Sequence, residues 1–207
     1  VTFKATIPRL GHRTAFLLGG GPSLSGVDVE RVHGRGLVIA INNSYRLAPW
    51  SDMLYFADRR WLNPEWGHLD GIAKVWGGGP IYTRAELHAE PQRSMNIGVL
   101  RHENQLPLSH NAGAVAGWCS GANAINVAFL AGAQRIVLLG FDGRSNGNWH
   151  KDHKQPVAPE TYPDFIVPSF ARMALALREV PGVEVLNATR GSSLSMFSLT
   201  DLDQVLA

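Results

Sequence analysis

Six consecutive residues, Gly19-Gly20-Gly21-Pro22-Ser23-Leu24, lie between an apolar run at 14–18 and a helix-like segment at 27–32. Glycines let a backbone come close to a phosphate, and free N–H groups at a helix start point at it. A strand, a glycine turn and a helix together therefore build an anion pocket, to which Ser23 adds a hydroxyl. The run is not a P-loop, because no Gly-Lys-Ser/Thr follows, and the third glycine of the dinucleotide fingerprint is missing. A tight strand-to-helix turn with no ligand would use the same residues.

Four more groups carry chemistry. Asn42, Asn43 and Ser44 follow an apolar run and can hydrogen-bond a base or a ribose, or simply cap a helix. Asp58 precedes Arg59 and Arg60. It suits a ribose, a metal or an acceptor, and equally a helix cap with an ion pair. Ser120 and Gly121 open an apolar helix whose start offers a second anion site, or ordinary capping by Ser120. The loop from Asp142 reads Asp-Gly-Arg-Ser-Asn-Gly-Asn-Trp-His-Lys-Asp-His. Asp142 ends an apolar strand, a common place for catalytic groups. His150 or His153 can act as a general base near neutral pH. Both together with a carboxylate can instead hold a divalent metal, and a merely solvated loop has the same composition. Cys119 has no nucleophile signature around it and reads as a packing residue.

These groups need elements to hold them. Strand candidates fall at 14–18, 37–41, 53–57, 73–76, 135–140 and 183–187, with weaker ones at 80–83 and 97–101. Several are continuous apolar runs, as in strands covered on both faces. Helix candidates fall at 27–32, 60–69, 121–130 and 169–180, the last closed by Pro181-Gly182. The alternation predicts an α/β fold, a single Rossmann-like domain over 1–207 with a mostly parallel sheet.

Composition sets the bounds. The 207 residues include 45% hydrophobic and 17% charged residues, the balance of a folded globular chain rather than a disordered one. A net charge of +2 is too small to argue for nucleic-acid binding. With Cys119 as the one cysteine, no internal disulfide and no cysteine zinc cage can form. No apolar run reaches the roughly 18 residues of a membrane span. Residues 1–13 carry no apolar signal core, and a cytoplasmic location is the expectation. Oligomeric state stays open, a homo-oligomer included.

The order of these motifs resembles a known family. Gly-Gly-Gly-Pro-Ser-Leu follows the first strand and Ala-Ile-Asn-Asn the second. Ser-Gly precedes a helix, and Leu-Leu-Gly-Phe-Asp precedes a histidine. This looks like the bacterial lipooligosaccharide sialyltransferases that use CMP-sialic acid. It is also similar to the 6-hydroxymethylpterin diphosphokinase-like proteins and, most of all, to small phage-encoded proteins of the same layout. The resemblance spans 14–153. It implies that Gly20, Gly21, Pro22, Ser23, Asn42 and Asn43 hold the nucleotide, that Ser120 and Gly121 contact the donor, and that His150 or His153 is the base. Sialyltransferases of this type place tyrosines just after the Gly-Phe-Asp strand, to hydrogen-bond the departing phosphate. Here Gly143, Arg144 and Ser145 stand there, and Arg144 would neutralise the phosphate by charge.

The expectation is therefore a glycosyltransferase-like enzyme with a nucleotide or nucleotide-sugar donor, an unassigned acceptor and no cofactor. A metal-dependent diphosphotransferase is the alternative, with Asp58, Asp142 and His150 around Mg²⁺. A nucleotide-binding phage protein without catalysis is a third.

Overall fold

The computed structural model describes residues 4–63, 67–85, 95–152 and 157–207. Its frame is an eight-stranded sheet with the order β10-β9-β8-β1-β2-β3-β4-β5. The strands are β1 (Thr14–Leu18), β2 (Leu37–Ile41), β3 (Met53–Phe56), β4 (Ile81–Thr83), β5 (Ile97–Val99), β8 (Arg135–Leu139), β9 (Glu184–Asn187) and β10 (Ser198–Leu199). Every pairing in it is parallel. Two short strands, β6 (Arg101–His102) and β7 (Ala114–Val115), pair separately. The α/β parallel architecture expected from the sequence is the observed one.

Burial explains the strand sequences. In β1, Ala15 and Leu17 enter the core on one face, while Phe16 and Leu18 enter the core on the other. Both faces are covered, so the strand reads as an unbroken apolar run. The first face is covered by α2 (Ser120–Leu130) and α3 (Val167–Arg178), the second partly by α4 (Leu202–Leu206). A third cluster around Tyr45, Phe56 and Trp61 lies beneath α1 (His68–Val75).

Several local expectations change. The helix expected at 27–32 is one short 3-10 turn, Val29–Val32, and a second such turn, Pro22–Gly26, precedes it. Pro22 starts the preceding turn, and its C-cap Val27 is already extended. Such turns sum few peptide dipoles, so the glycine loop has no long helix behind it. The helix expected at 60–69 is a 3-10 turn, Arg59–Leu62, and then α1 from His68. Residues 73–76, read as a strand, mostly belong to α1, which buries Ile72 and leaves Val75 half exposed. A short apolar run cannot by itself separate a strand from a helix turn.

α2, apolar in most of its sequence, also buries two polar side chains. Asn123 and Asn126 are buried on it as fully as its alanines. The Asn126 amide accepts from Ser109 N (3.0 Å) and Ala116 N (2.8 Å) and donates to Ser109 O (2.9 Å). Asn123 donates to Ala116 O (2.6 Å) and Gly117 O (2.9 Å). These buried amides give partners to the irregular chain between β6 and α2, whose backbone groups would otherwise be costly to bury.

Candidate functional site

The chain runs outward from β1 to β5 on one side, then returns to β8 beside β1 and continues to β9 and β10. The order therefore reverses between β1 and β8, and open parallel sheets bind ligands at the carboxyl ends of such a switch point. A cleft of about 790 Å³ opens there, within the usual size of small-molecule sites. Gly19, Gly20 and Gly21 follow β1, Asn42 follows β2, Asp58 follows β3 by two residues, and Asp142 and Arg144 follow β8; all line the cleft. Ser120 and Gly121, at the start of α2, line it as well.

The three glycines differ in purpose. A Cβ on Gly19 would stand 2.6 Å from Gly140 O and 2.9 Å from the Phe141 ring. One on Gly21 would overlap Asp142 Oδ2. Their amides are also spent, Gly19 N donating to Leu139 O (2.8 Å) and Gly21 N to Gly140 O (2.9 Å). Gly20 is the open one. Its Cβ would meet only Asn148 Oδ1, at 3.3 Å, and its N–H has no acceptor among the described residues. Close packing of β1 on β8 thus demands Gly19 and Gly21, and Gly20 has the one open amide of the three.

Pro22 and Ser23 are not lining residues of the cleft. The Ser23 hydroxyl donates to Asp142 Oδ2 at 2.7 Å and so is committed to that carboxylate. Asp142 is 6% exposed, and Asn146 Nδ2 reaches its other oxygen at 3.4 Å. No cation pairs with it among the described residues. Ser193 donates to the Asp142 carbonyl through N (2.9 Å) and Oγ (3.0 Å), which ties the end of β8 to the chain after β9.

Asn42 and Asn43 separate. Asn42 adopts φ +50°, a left-handed conformation that asparagine tolerates, and lines the cleft. Asn43 is buried behind it. The Trp61 indole, a donor only, donates to Asn43 Oδ1 at 2.7 Å and so orients the amide. Asn43 Nδ2 then donates to His150 Nδ1 at 3.3 Å, and Asp152 N donates to the same nitrogen at 3.2 Å. With Nδ1 accepting, a neutral His150 carries its proton on Nε2. His150 is placed behind the glycine loop, where Trp149 N donates to Gly20 O (3.2 Å), and it is not a lining residue of the cleft. His153 lies outside the described residues.

Asp58 caps the 3-10 turn through Arg60 N (2.9 Å) and binds the Arg60 guanidinium at 2.7 Å. Burial raises its pKa, but the hydrogen bonds and charge of Arg60 outweigh burial and hold it below the ordinary aspartate value. Asp58, Asp142 and His150 are not brought together as a metal-ligand group, and no group of three such side chains occurs among the described residues. Ser120 is not the cap of α2. Cys119 holds that position without a side-chain cap bond, and Ser120 is the first helical residue. A Cβ on Gly121 would come within 2.8 Å of Phe170 and 2.9 Å of Phe141, so this glycine lets α2 seat against those rings. Burial pushes the Cys119 thiol up, which keeps it protonated.

Sequence reasoning missed Arg84, Trp118 and Tyr162, which all line the cleft. Arg84 was detectable as the first polar side chain after the weak strand candidate at 80–83. Tyr162 comes from a π-turn, Tyr162–Ile166, that no spacing rule announces. Burial and then the nearby Asp142 raise its phenol, so Tyr162 remains a hydrogen-bond donor. Arg144 lines the cleft, and its guanidinium donates to Gly191 O.

No family model and no curated relative matches the sequence. The fold does match solved structures. MAf glycosyltransferase from Magnetospirillum magneticum AMB-1 superposes with a TM-score of 0.68 at 12% identity over 96% of this chain. This chain spans only 35% of that protein's length. The sialyltransferase CST-II, solved in complex with a trisaccharide acceptor and CMP, gives a TM-score of 0.58 at 14% identity over 90% of this chain and 85% of its own. The chain therefore has the α/β fold seen in these two glycosyltransferases.

Proposed function

We propose that the chain is a glycosyltransferase that binds a nucleotide-activated donor in the cleft between β1 and β8. One observation carries this reading. The switch-point cleft presents the open Gly20 amide, the uncapped start of α2 and the side chains of Arg59, Arg60, Arg84 and Arg144, against two carboxylates, Asp58 and Asp142. Such a lining favours an anionic ligand. The shared fold with two glycosyltransferases, one of them solved with CMP, supports a nucleotide sugar as that ligand.

In the mechanism we infer, the donor phosphate rests against Gly20 and the start of α2. The acceptor hydroxyl attacks the anomeric carbon as the bond to the phosphate oxygen breaks, and the phosphate leaves with the electron pair. This single displacement inverts the anomeric centre. Asp142 takes the acceptor proton, since it is the buried carboxylate that lines the cleft and has lone pairs beyond those used by Ser23 and Asn146. Arg144 and the Tyr162 hydroxyl balance the charge that develops on the leaving phosphate. His150, protonated on Nε2, positions Asn43 and the loop over Gly20, and His153 is the remaining histidine candidate for the base.

A thermal-shift panel of nucleotides and nucleotide sugars, followed by turnover with the best donor, tests the reading. Asp142→Asn is expected to lower kcat by about 10²–10⁴, the usual contribution of a general base, in a chain that still melts cooperatively although its bond from Ser23 is weakened. His150→Ala is expected to lower stability more than kcat. A full loss of turnover in His153→Ala with activity retained in Asp142→Asn would move the base to His153. If no nucleotide raises the melting point at millimolar concentration, the donor assignment fails.

A further inference from the structure

Among the described arginines of the cleft, Arg84 is the one whose guanidinium is braced by three neutral acceptors. Arg60 is neutralised by Asp58. Arg84 makes no ion pair among the described residues, and its bonds all go to neutral acceptors. Nε donates to Asn123 Oδ1 (2.9 Å), Nη1 to His102 Nδ1 (3.1 Å) and Nη2 to the Trp118 carbonyl (3.4 Å). Each brace is itself fixed. Asn123 is fully buried and its amide donates to two carbonyls. His102 donates from Nε2 to Gly117 O at 2.8 Å, which leaves Nδ1 to accept from Arg84. The guanidinium is therefore held in one orientation without any cancellation of its charge.

A guanidinium has five N–H groups. Three are used in these contacts, which leaves one on each terminal nitrogen, enough for both oxygens of a single carboxylate or phosphate. The site is concave, and Arg84 shares its wall with Trp118, Cys119 and Ser120 at the start of α2. No acidic residue occupies the first turn of that helix to compete for the N–H groups. Asp58 lies within electrostatic reach of Arg84, yet both its oxygens are bonded to Arg60.

We propose that Arg84 is an oxyanion receptor, a specificity-determining residue that binds a phosphate or carboxylate of the cleft's ligand at the end of β4. This rests on reading the cleft as the donor site only for the identity of the ligand. It does not rest on that reading for the anion itself. The two sources of such an anion are the nucleotide phosphate and an acidic group on the transferred sugar.

Inorganic phosphate, CMP, UDP-glucose and UDP-glucuronate, titrated into the parent chain, Arg84→Gln and Arg84→Lys, separate these cases. Gln keeps a donor for Asn123 while removing the charge, and Lys keeps the charge without the fork. The expected result is that phosphate raises the parent's melting point and does so far less in Arg84→Gln. If Arg84→Gln binds CMP and UDP-glucose at least tenfold more weakly, the anion is the nucleotide phosphate. If it loses only the advantage of UDP-glucuronate over UDP-glucose, the anion is the sugar carboxylate. Either result supports the receptor. Binding of all four probes within twofold in parent and variants overturns it and leaves Arg84 a structural brace. So does a parent chain that responds to none of the four. A phosphate response that depends on Arg84, with no nucleotide binding, would keep the receptor and sink the donor assignment. Should Arg84→Gln lose its cooperative melt, Arg84→Lys is read by the same criteria.

Discussion

Alanine at Gly21 and alanine at Gly20 are one methyl each, one residue apart, and are expected to do opposite things. At Gly21 the new Cβ overlaps Asp142 Oδ2 and stands 2.7 Å from Asp142 Cγ and 2.8 Å from Gly140 O. Two of these atoms belong to a carboxylate held by Ser23, and the third is backbone at the end of a central strand, so none can retreat cheaply. Overpacking of this kind costs about 1–3 kcal/mol. Displacing Asp142 also weakens its bond from Ser23, and a hydrogen bond to a charged group is worth about 1.5–3 kcal/mol. The sum, about 2.5–6 kcal/mol, is a large share of the roughly 5–15 kcal/mol that holds a domain folded. At roughly 2–4 °C per kcal/mol for a chain of this size, the melting point should fall by between about 5 and 24 °C. At Gly20 the methyl meets only the end of the Asn148 side chain, at 3.3 Å. Stability should change by less than about 0.5 kcal/mol, the usual range for open positions. Affinity for a phosphate-bearing ligand should nonetheless fall about tenfold, since the methyl stands beside the one open amide of the loop. Differential scanning calorimetry and isothermal titration of both variants read the two effects. A Gly21→Ala chain that melts with the parent, or a Gly20→Ala chain that loses stability and keeps its affinity, would refute this division of labour.

Other outcomes follow from the same geometry. Trp61→Phe removes the indole donor from buried Asn43, leaving Oδ1 unsatisfied. It should cost about 1–3 kcal/mol in denaturant unfolding, with the His150 ¹⁵N signals changing as Asn43 loses its fixed orientation. In the parent, the neutral imidazole should show Nδ1 unprotonated and Nε2 protonated. The lowered Asp58 pKa means that its contribution is present above the unfolded-state value, about 3.9, and is lost as pH falls through the folded one. The difference in melting point between parent and Asp58→Ala should therefore be constant near neutrality and shrink toward pH 3. His102 is lowered by burial and then by Arg84, with its bond to Gly117 opposing. The folded chain thus resists its protonation, so stability should decline as pH falls below about 6.5. His102→Gln should show less of that decline, and equal slopes in both chains would count against the assigned tautomer.

The chain's own order of residues determined much of the frame. Apolar runs at 14–18, 37–41 and 136–139 have the length and two-sided apolarity of strands covered on both faces, and the alternation with helix patterns along the chain favours that reading over buried helix turns. The polar residues that follow such runs fall at strand ends wherever the strands are placed, and so Gly20, Asn42, Asp58 and Asp142 were legible as site candidates. Which of the candidates face the cleft was decided only by tertiary contact. Gly19 and Gly21 are glycines because β8 passes close to β1, a neighbour 119 residues away for Ser23. Ser23 and Asn43 have the chemistry of ligand contacts but spend it on Asp142, Trp61 and His150. Arg84 and Tyr162 bear no local motif, and they reach the cleft because the order of β4 and the turn before α3 bring them there. Side-chain type sets what a residue can bond. Its partner depends on which distant strand lies beside it, and local sequence does not encode that.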